Sequence, residues 1–533
     1  MFDIEALPNE IFNLVIEHLI ISIGIFRAFI LRSVNKNFNS AILFAICNKQ
    51  ILDINHWVIP GLISLIPTTP KARILLVKSR SEEINRDDAL FVIARVNQVL
   101  DDLTKPSKEQ QAEQHQMIAE AIADRYPHGI LNSLKENNAS TKTNAHNVLM
   151  GAIVIGNLPL VKTLLEEQQA DVNVFNPYFG QPLEIAAVRG HLQIVLYLLD
   201  CGADPCRDDN GEDWNGFDRR LPISAISALG AAVRGGHDNV VQLLMKPEYS
   251  PSPAKAEYFR VIVDGVKFGR LHFVQSLLQA TGKQISDFGK FGDLMFYTAV
   301  VNDQPDIVQV LLDGGIDVNM ALHDPSHRLS IPMLCRAASR GNPRMVRILL
   351  DHGAIVDSGG NADMYYESWL PIARAARLGH EEVVDLILAH STDPKSLETA
   401  FICAAEGGQT HLMNKLWKKD SQLHTKPWPH PINLRCTVGV EALYRAIIQK
   451  SPAVISLLAE HGVSLNEKYF EKCLMVIARF ESARWIADFM VSLGAEDVDG
   501  DRFTNYTHRG DGRVTMRAGV YIKKQNWEWG SKY

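Results

Sequence analysis

Side chains that could carry out chemistry are few and scattered in this 533-residue chain. His323 and His327 lie four residues apart, a spacing that on a helix would point both imidazoles at one metal ion. Pro325 lies between them and disfavours a helix, so a turn is the better interpretation. Three acids form one further cluster: Asp208, Asp209 and Asp213. Such a cluster could act in acid–base catalysis, but it is more often a solvated loop, and we expect neither a metal site nor a catalytic centre here.

The sequence also lacks the common catalytic and cofactor-binding motifs. It contains no P-loop, no dinucleotide-binding glycine motif, no Gly-x-Ser-x-Gly elbow and no His-Glu-x-x-His zinc motif. The seven cysteines are scattered and include no Cys-x-x-Cys pair, which favours reduced, buried thiols over disulfides or a metal site. The sequence therefore predicts no cofactor and leans away from an enzyme.

Residue composition and net charge limit the classes of partner that the sequence predicts. Hydrophobic residues make up 46% of the chain and charged residues 22%, which is typical of a globular protein. The net charge of −7 offers no general attraction for nucleic acid or for an anionic membrane. The longest apolar run, 19–26, is much shorter than the roughly 20 residues that a membrane span needs. With no basic region of a secretory signal at Met1, we expect a cytoplasmic or nuclear protein.

The elements that position these side chains follow an internal repeat, clearest in residues 181–204. Pro182 suits the first turn of a helix, the small pair Ala186–Ala187 allows a neighbouring helix to approach closely, and Gly190 can end the helix with a positive φ. A second apolar helix follows and includes Leu198–Leu199. The unit closes with Gly202–Asp204, which predicts a turn into the next unit.

This unit recurs with a period of about 33 residues. The turns between its two helices fall near residues 156, 190, 236, 269, 303, 341, 379, 408, 450 and 480. The segment 144–500 resembles a run of about ten ankyrin repeats, and the resemblance implies an all-α ankyrin-repeat solenoid. His191, His237 and His380 occupy the Gly-His position of the repeat, where we expect the imidazole to bond backbone in the adjoining loop.

Four insertions interrupt the repeats at the position of the ankyrin finger, which joins one repeat to the next: 206–221, 320–330, 358–370 and 421–435. Insertions in a solenoid collect on one face, which is often the binding face, and aromatic residues are enriched at binding hot spots. The predicted partner-binding residues are Trp214, Phe217, His323, His327, Tyr365, Tyr366, Trp369 and Trp428. The alternative is that these side chains pin each finger onto its own repeat.

The N-terminal segment, residues 1–50, has a different pattern. Leu7–Pro8 precedes an apolar helix, and a second helix carrying Leu31, Val34 and Phe38 is expected after it. This pattern resembles an F-box, and its combination with ankyrin repeats resembles the F-box-like ankyrin proteins of filamentous fungi. The resemblance implies docking onto the small adaptor subunit of a cullin-type ubiquitin ligase through Leu7, Pro8, Ile11, Ile16 and Leu19. The alternative is a helical cap over the apolar flank of the first repeat.

Two further segments complete the predicted organisation. Residues 51–143 are expected to form a helical linker layer, and residues 501–533 a small C-terminal β-hairpin that turns at 510–512. The whole chain is then most simply a protein-binding adaptor, a substrate receptor whose ankyrin face selects a protein target. Two alternatives remain: a binding scaffold without any link to ubiquitin, and a biosynthetic enzyme with a pocket in the ankyrin groove.

Overall fold

The computed structural model describes thirteen stretches of the chain. They are residues 8–31, 36–48, 68–80, 89–125, 144–168, 170–206, 227–253, 255–320, 332–357, 370–429, 435–469, 472–478 and 484–496. The chain divides into two compact units, and the described part of the first ends at Val261 while that of the second begins at Ile262. The division lies inside one helix. The predicted C-terminal hairpin, residues 501–533, lies outside the described residues.

The first unit begins with helices that precede the repeats. They are α1 (Asn9–Leu31), α2 (Lys36–Leu43) with a π-helical turn (Phe44–Asn48), α3 (Thr68–Lys78), α4 (Ala89–Thr104) and α5 (Lys108–Arg125). Helix α1 packs on α2, where the rings of Phe12 and Phe38 meet edge to face with centroids 5.6 Å apart. The π-helical turn packs on α3, α3 packs on α5, and α5 packs on α4. The segment is thus a layered helical bundle.

Helix α1 corrects one expectation. It runs without interruption for 23 residues and includes Leu31, which was expected in the second helix. Residues 19–26 contain no proline and no charged side chain, and the single Gly24 costs a helix only about 1 kcal/mol. Nothing local therefore ends the helix between residues 20 and 26, where an F-box has a linker.

The repeats follow as ten pairs of helices. They are α6 (Asn144–Val154) with α7 (Leu158–Gln168), α8 (Pro182–Val188) with α9 (Leu192–Asp200), α10 (Ala228–Gly235) with α11 (Asp238–Leu244), α12 (Ala256–Lys267) with α13 (Leu271–Ala280), α14 (Lys290–Val301) with α15 (Pro305–Asp313), α16 (Met333–Arg340) with α17 (Pro343–Asp351), α18 (Pro371–Leu378) with α19 (Glu381–His390), α20 (Ser396–Glu406) with α21 (Thr410–Lys419), α22 (Val438–Ile448) with α23 (Pro452–Glu460), and α24 (Leu474–Ile477) with α25 (Arg484–Ser492).

Within each unit the repeats stack in two layers. In the second unit the first helices α14, α16, α18, α20 and α22 pack in series and form the first-helix layer. The second helices pack on one another beside them, for example α15 on α17 and α17 on α19, and form the second-helix layer. The alanine pairs of the first helices, such as Ala337–Ala338 and Ala375–Ala376, are completely buried. Their small size lets adjacent first helices pack closely.

Backbone geometry confirms the predicted register of the repeats. Every predicted inter-helix turn that lies within the described residues has a positive φ, between 58° and 78°. These turns are Gly156, Gly190, Gly236, Gly269, Asp303, Gly341, Gly379, Gly408 and Lys450. The left-handed conformation reverses the chain after the first helix, which glycine does at little cost. Asp303 and Lys450 adopt it without being glycine, so the turn geometry persists where the sequence departs from the pattern.

Two short hairpins lie among the repeats of the second unit. Strand β1 (Pro427–Pro429) pairs antiparallel with β2 (Arg435–Thr437), and β3 (Lys468–Tyr469) pairs antiparallel with β4 (Lys472–Cys473). The first hairpin belongs to the predicted insertion 421–435. At least part of that insertion is therefore regular structure that leads directly into α22.

Candidate functional site

Helix α1 has an exposed apolar face as well as a buried one. Phe12, Ile16 and Ile20 follow one another at a spacing of four residues and are at least 93% buried. Four other apolar side chains are between 36% and 58% exposed, and we call them the N-terminal apolar face: Ile11, Leu14, Val15 and Ile21. At 100° per residue they fall on one side of the helix. A large part of the apolar surface of α1 therefore faces solvent.

The predicted adaptor-binding residues divide between these two faces. Pro8 and Ile11 are exposed, Leu19 is half-buried, and Leu7 lies outside the described residues. Ile16 has no exposed surface, which corrects its predicted role, because a side chain in the interior of the bundle cannot contact a partner. Leu14, Val15 and Ile21 were not among the predicted adaptor-binding residues, although their helical spacing from Ile11 shows that they share its face.

A cavity of about 560 Å³ opens between α1, α2 and α3. Its lining includes Asn9, Asn13, Asn37 and Arg73 together with the Phe12 ring. Among the described residues that line it there is no carboxylate, imidazole or thiol. The described lining thus offers hydrogen-bond donors and acceptors beside an aromatic ring.

Most of the predicted partner-binding residues lie outside the described structure: Trp214, Phe217, His323, His327, Tyr365, Tyr366 and Trp369. Trp428 lies in β1 and is 94% buried, so it is not available to a partner. This corrects the prediction for Trp428 and agrees with the alternative that a finger aromatic pins its own repeat. The physical reason is that the short hairpin turns the indole inward.

A second buried indole, that of Trp417 near the end of α21, contacts this finger. Its Nε1 donates to Nδ1 of His424 at 3.2 Å, and its ring stacks on that of His461 at a centroid distance of 3.9 Å. Burial lowers the pKa of His424, and the neighbouring His461 lowers it further. The Nδ1 atom must be unprotonated to accept from the indole. This finger is therefore fixed by a contact that requires a neutral imidazole.

The Gly-His positions behave as predicted. The Nε2 atoms of His191, His237 and His380 lie 3.2, 3.0 and 3.2 Å from backbone oxygens of the preceding repeat, on Val154, Val188 and Ser339. Each imidazole lies against the positive-φ glycine of that repeat, so closely that a Cβ on Gly341 would come within 2.3 Å of Nδ1 of His380. These histidines are structural links between repeats.

Glutamine makes the same link where histidine is absent. Nε2 of Gln304 donates to the Lys267 oxygen at 3.4 Å, and Nε2 of Gln409 donates to the Arg377 oxygen at 3.3 Å. Sequence reasoning missed both residues. Their position directly after the inter-helix turn was the available signal.

The first-helix layer of the second unit carries arginines that sequence reasoning also missed. Helices α16 and α18 together contain four arginines and no acidic residue. Arg340 of α16 is exposed, and we define the arginine column as the half-buried first-helix arginines Arg336, Arg374, Arg377 and Arg445. The column belongs to repeats that stack in series, from α16 to α22.

Arg336 begins the arginine column. Its guanidinium carbon lies 5.0 Å from the centroid of the Tyr297 ring on α14, within range of a cation–π interaction. Its Nε is buried and has no hydrogen-bond partner among the described residues. Within the part of the chain that the structure describes, Arg336 has no ion pair. It is thus a fixed cation whose donor groups are incompletely used.

Arg374 is next to it in the adjacent repeat. It hydrogen-bonds the Cys335 side chain of α16. Burial raises the pKa of the Cys335 thiol to about 11, although Arg374 and Arg336 act in the opposite direction. The thiol therefore remains protonated at neutral pH.

Arg377 and Arg445 complete the column around two carboxylates. Nη2 of Arg377 and Nη1 of Arg445 each donate to Oε2 of Glu406 at 2.9 Å. Nε of Arg445 also donates to Oε1 of Glu441 at 2.7 Å, and the Glu441 side chain is only 2% exposed. This network crosses three repeats. Arg377 and Arg445 are thus joined through Glu406, and Arg445 also binds Glu441.

Two kinds of site are missing from the described part of the chain. Its residues include no group of three or more histidine, cysteine, aspartate or glutamate side chains that could hold a metal ion. Its helices do not combine the length and the hydropathy that crossing a membrane requires.

Comparisons with known proteins agree with the repeat architecture. The family model for "Ankyrin repeats (3 copies)" matches residues 118–209 and 372–469. The first match begins within α5, before residue 144. A solved structure, human ASB11 ankyrin repeat domain, aligns with a TM-score of 0.33 and 23% identity over 46% of this chain and 98% of that one.

Three curated proteins are similar over shorter stretches. Ankyrin repeat and KH domain-containing protein mask-1 of Caenorhabditis elegans is 27% identical over 34% of this chain. Ankyrin repeat and SAM domain-containing protein 6 of Mus musculus is 32% identical over 18%, and alpha-latrocrustotoxin-Lt1a of Latrodectus tredecimguttatus is 39% identical over 14%. The matched stretches span only 6%, 9% and 5% of these relatives. The chain is therefore an ankyrin repeat domain-containing protein, with repeats of the kind that mediate protein–protein interaction.

Proposed function

We propose that the protein is an adaptor with two binding surfaces, one for a ubiquitin ligase and one for a target protein. The N-terminal apolar face docks onto the small adaptor subunit of a cullin-type ubiquitin ligase. The ankyrin repeats select the protein that the ligase modifies. The chain is then a substrate receptor and catalyses no reaction itself.

The exposure of the N-terminal apolar face carries this proposal. A capping helix normally turns a polar outer face to solvent, whereas α1 presents Ile11, Leu14, Val15 and Ile21. Contiguous exposed apolar surface commonly marks a protein–protein contact. Burying these four partly exposed side chains would contribute about 1 kcal/mol each. The cap alternative explains the buried face of α1 but leaves the exposed one without a role.

The supporting sequence pattern is the F-box-like segment. Its Phe38 packs on Phe12 in the bundle, as the resemblance implies for a residue that shapes it. The uninterrupted α1 differs from an F-box, so the docking geometry would have to use one long helix in place of two shorter ones.

A pull-down with purified adaptor subunit tests the proposal. The full-length chain is expected to retain the adaptor, and an Ile11→Asp, Leu14→Asp double variant is expected to lose at least tenfold in affinity, because it introduces two charges into the apolar face. Both residues are about half exposed, so the fold should tolerate the change. Circular dichroism checks that it does.

A matched control places the same charge elsewhere. Leu103 in α4 is 55% exposed and Leu378 in the repeats is 49% exposed. The Leu103→Asp, Leu378→Asp variant should retain the adaptor as well as the unmodified chain does. Failure of the folded, unmodified chain to bind the adaptor would overturn the ligase role.

A further inference from the structure

We infer that the cavity between α1, α2 and α3 binds the carboxyl-terminal residues of a partner protein. The terminal carboxylate would pair with Arg73, and the last side chain would pack on the apolar floor of the cavity. The inference goes beyond the proposed function, because the cavity residues Asn9, Phe12 and Asn13 lie on the side of α1 opposite to the N-terminal apolar face.

The cavity has an apolar floor and a polar rim. Its volume of about 560 Å³ is that of a typical ligand pocket. The floor consists of apolar side chains: Phe12, Ala41, Leu43 and Phe44. The rim consists of hydrogen-bonding side chains: Asn9, Asn13, Asn37, Ser40 and Arg73. This arrangement suits a ligand that joins an apolar group to polar ones.

Arg73 is the cation of the rim. Its side chain is exposed, and within the described part of the chain it has no ion pair and no hydrogen-bond partner. Helices α2 and α3 contain no acidic residue, and the two acids of α1, Glu10 and Glu17, are absent from the described lining. The planar guanidinium can form two parallel hydrogen bonds to a carboxylate. Charge complementarity therefore favours an anionic ligand.

The remaining rim groups favour a polypeptide. Among the described residues, the side chains of Asn9, Asn13 and Asn37 have no hydrogen-bond partner. Each side-chain amide can both donate and accept a hydrogen bond, as the peptide main chain does. A fully ionised phosphate only accepts hydrogen bonds and would not use the amide carbonyl oxygens. Three amides beside one guanidinium thus match a carboxylate that is attached to peptide groups.

The floor favours a chain end over an internal acidic residue. The last residue of a protein carries a carboxylate and its own side chain on one Cα atom, so it can reach Arg73 and the floor together. An internal aspartate or glutamate uses its side chain for the charge and has no second group for the floor. Capture of a C-terminal carboxylate is a recurrent mode of peptide recognition.

Phe44 is the part of the floor that a ligand can reach most easily. It is 43% exposed and begins the π-helical turn that follows α2. Such departures from α-helical geometry are frequent at functional sites. The exposed ring would be covered by the last side chain of the partner.

The test uses hexapeptides that carry fluorescein at the N-terminus and end in alanine followed by valine, leucine, isoleucine or phenylalanine. Each peptide is prepared with a free carboxyl end and with an amidated end, and its binding to the full-length chain is followed by fluorescence anisotropy. At least one free acid should bind at least tenfold more tightly than its amide, because only the free acid offers a carboxylate to Arg73. Arg73→Gln should remove this difference by weakening the binding of the free acid.

Arg80 provides a control with the same change of charge. It is exposed, lies just beyond the end of α3 and is not part of the described lining. The Arg80→Gln variant should bind every peptide within twofold of the unmodified chain. Phe44→Ala should weaken binding of the free acids but not of a free acid that ends in glycine, which has no side chain for the floor. Circular dichroism checks the fold of each variant.

Three outcomes with these peptides would overturn the inference. They are a lack of binding by all the free acids, equal affinity for the free acids and their amides, and equal losses in the Arg73→Gln and Arg80→Gln variants. Two competitors test for a different ligand. If N-acetylleucine binds as tightly as the leucine peptide, the ligand is a small carboxylate and the inference is wrong. If an amidated peptide with an internal glutamate does so, the ligand is an internal acidic segment and the inference is equally wrong.

The adaptor pull-down on the same preparations separates this inference from the proposed function. The Arg73→Gln variant should retain the adaptor, and the Ile11→Asp, Leu14→Asp variant should still bind the free acids. If the adaptor fails to bind but the peptides behave as expected, only the ligase role falls.

Discussion

The two helix layers of the second unit use arginine in different ways. In the second-helix layer Arg347 pairs with Glu382 at 2.7 Å, and both side chains are more than half exposed. Arg344 and Asp306 form a similar pair between adjacent repeats. Both of these cations have an acidic neighbour in solvent, where an ion pair contributes at most about 1 kcal/mol.

In the first-helix layer the arginines of the arginine column are half-buried. Glu406 serves both Arg377 and Arg445, while Arg336 lies on Tyr297. Interactions in this layer are screened less by water and salt, so the loss of one group has a larger consequence. The comparison teaches that the same residue type forms exposed, weak ion pairs in one layer and half-buried contacts with carboxylates and an aromatic ring in the other.

The largest expected effect comes from removing the shared carboxylate. Glu406→Gln leaves the half-buried Arg377 without its acceptor charge and Arg445 with one carboxylate fewer, and we expect it to lower the free energy of unfolding by about 2–3 kcal/mol. Urea unfolding monitored by tryptophan fluorescence measures this. Asp306→Asn, which breaks an exposed pair, should change it by less than about 0.5 kcal/mol. Similar losses for both variants would contradict the contrast between the layers.

The next largest difference in stability is expected between the glycine turns that end the two helices of one repeat. Gly341 and Gly353 both have a positive φ, so alanine at either site costs about 1–2 kcal/mol in backbone strain. A Cβ at Gly341 would also displace His380, whereas a Cβ at Gly353 meets no atom within 4 Å. Gly341→Ala should therefore lower the thermal midpoint more than Gly353→Ala does.

Scanning calorimetry on the two glycine variants provides the measurement. When His380→Ala is already present, Gly341→Ala should lower the thermal midpoint about as little as Gly353→Ala does, because the obstructing imidazole is then absent. If the loss persists in the double variant, close approach to His380 is not its cause.

The smallest expected effect concerns how two histidines, His424 and His352, make folding stability depend on pH. His424 lies against Gly439 of the first helix α22, and burial lowers its pKa. The folded protein favours the neutral form of His424. The contribution of this histidine to the free energy of unfolding is therefore present above the ordinary pKa of about 6.5 and is lost as the pH falls below that value. His352 ends α17, and its pKa is raised by its bond to the Ile348 oxygen and by Asp313. The contribution of His352 to the free energy of unfolding is present below about pH 6.5 and is lost as the pH rises through the pKa that His352 has in the folded protein.

Urea midpoints at pH 7.5 and pH 5.5 distinguish the two histidines. His424→Gln should reduce the loss of stability on acidification, and His352→Gln should increase it. Changes of the same sign in both variants would contradict the assignment of opposite pKa shifts.

The inter-helix turns and the Gly-His links could be predicted from sequence, because the signals for them are local. The inter-helix turns need a positive φ at one position, and the pattern located all of those in the described residues, including Asp303 and Lys450. The Gly-His links of His191, His237 and His380 followed from the same register. The predicted target-binding fingers remain predictions, since most of their residues lie outside the described structure.

Other features depended on packing. The helical spacing of α1 is visible in the sequence, but which side of it is covered depends on α2 and α3, and Ile16 fell on the covered side. Trp428 is of a residue type that is common at binding hot spots, yet the β1–β2 hairpin directs its side chain into the protein. Aromatic character does not by itself distinguish a hot spot from an anchor.

By itself, the sequence determined the repeat register and the helical class of this protein, because helix periodicity, turn conformation and the alanine pairs are set within about 33 residues of chain. Only the tertiary structure decided which arginines are paired. Arg377 meets Glu406 across 29 residues of sequence, and Arg445 meets the same carboxylate across 39. Arg336 meets the Tyr297 ring of the preceding repeat instead of an acid. Such contacts depend on distances between stacked helices, which local patterns do not encode.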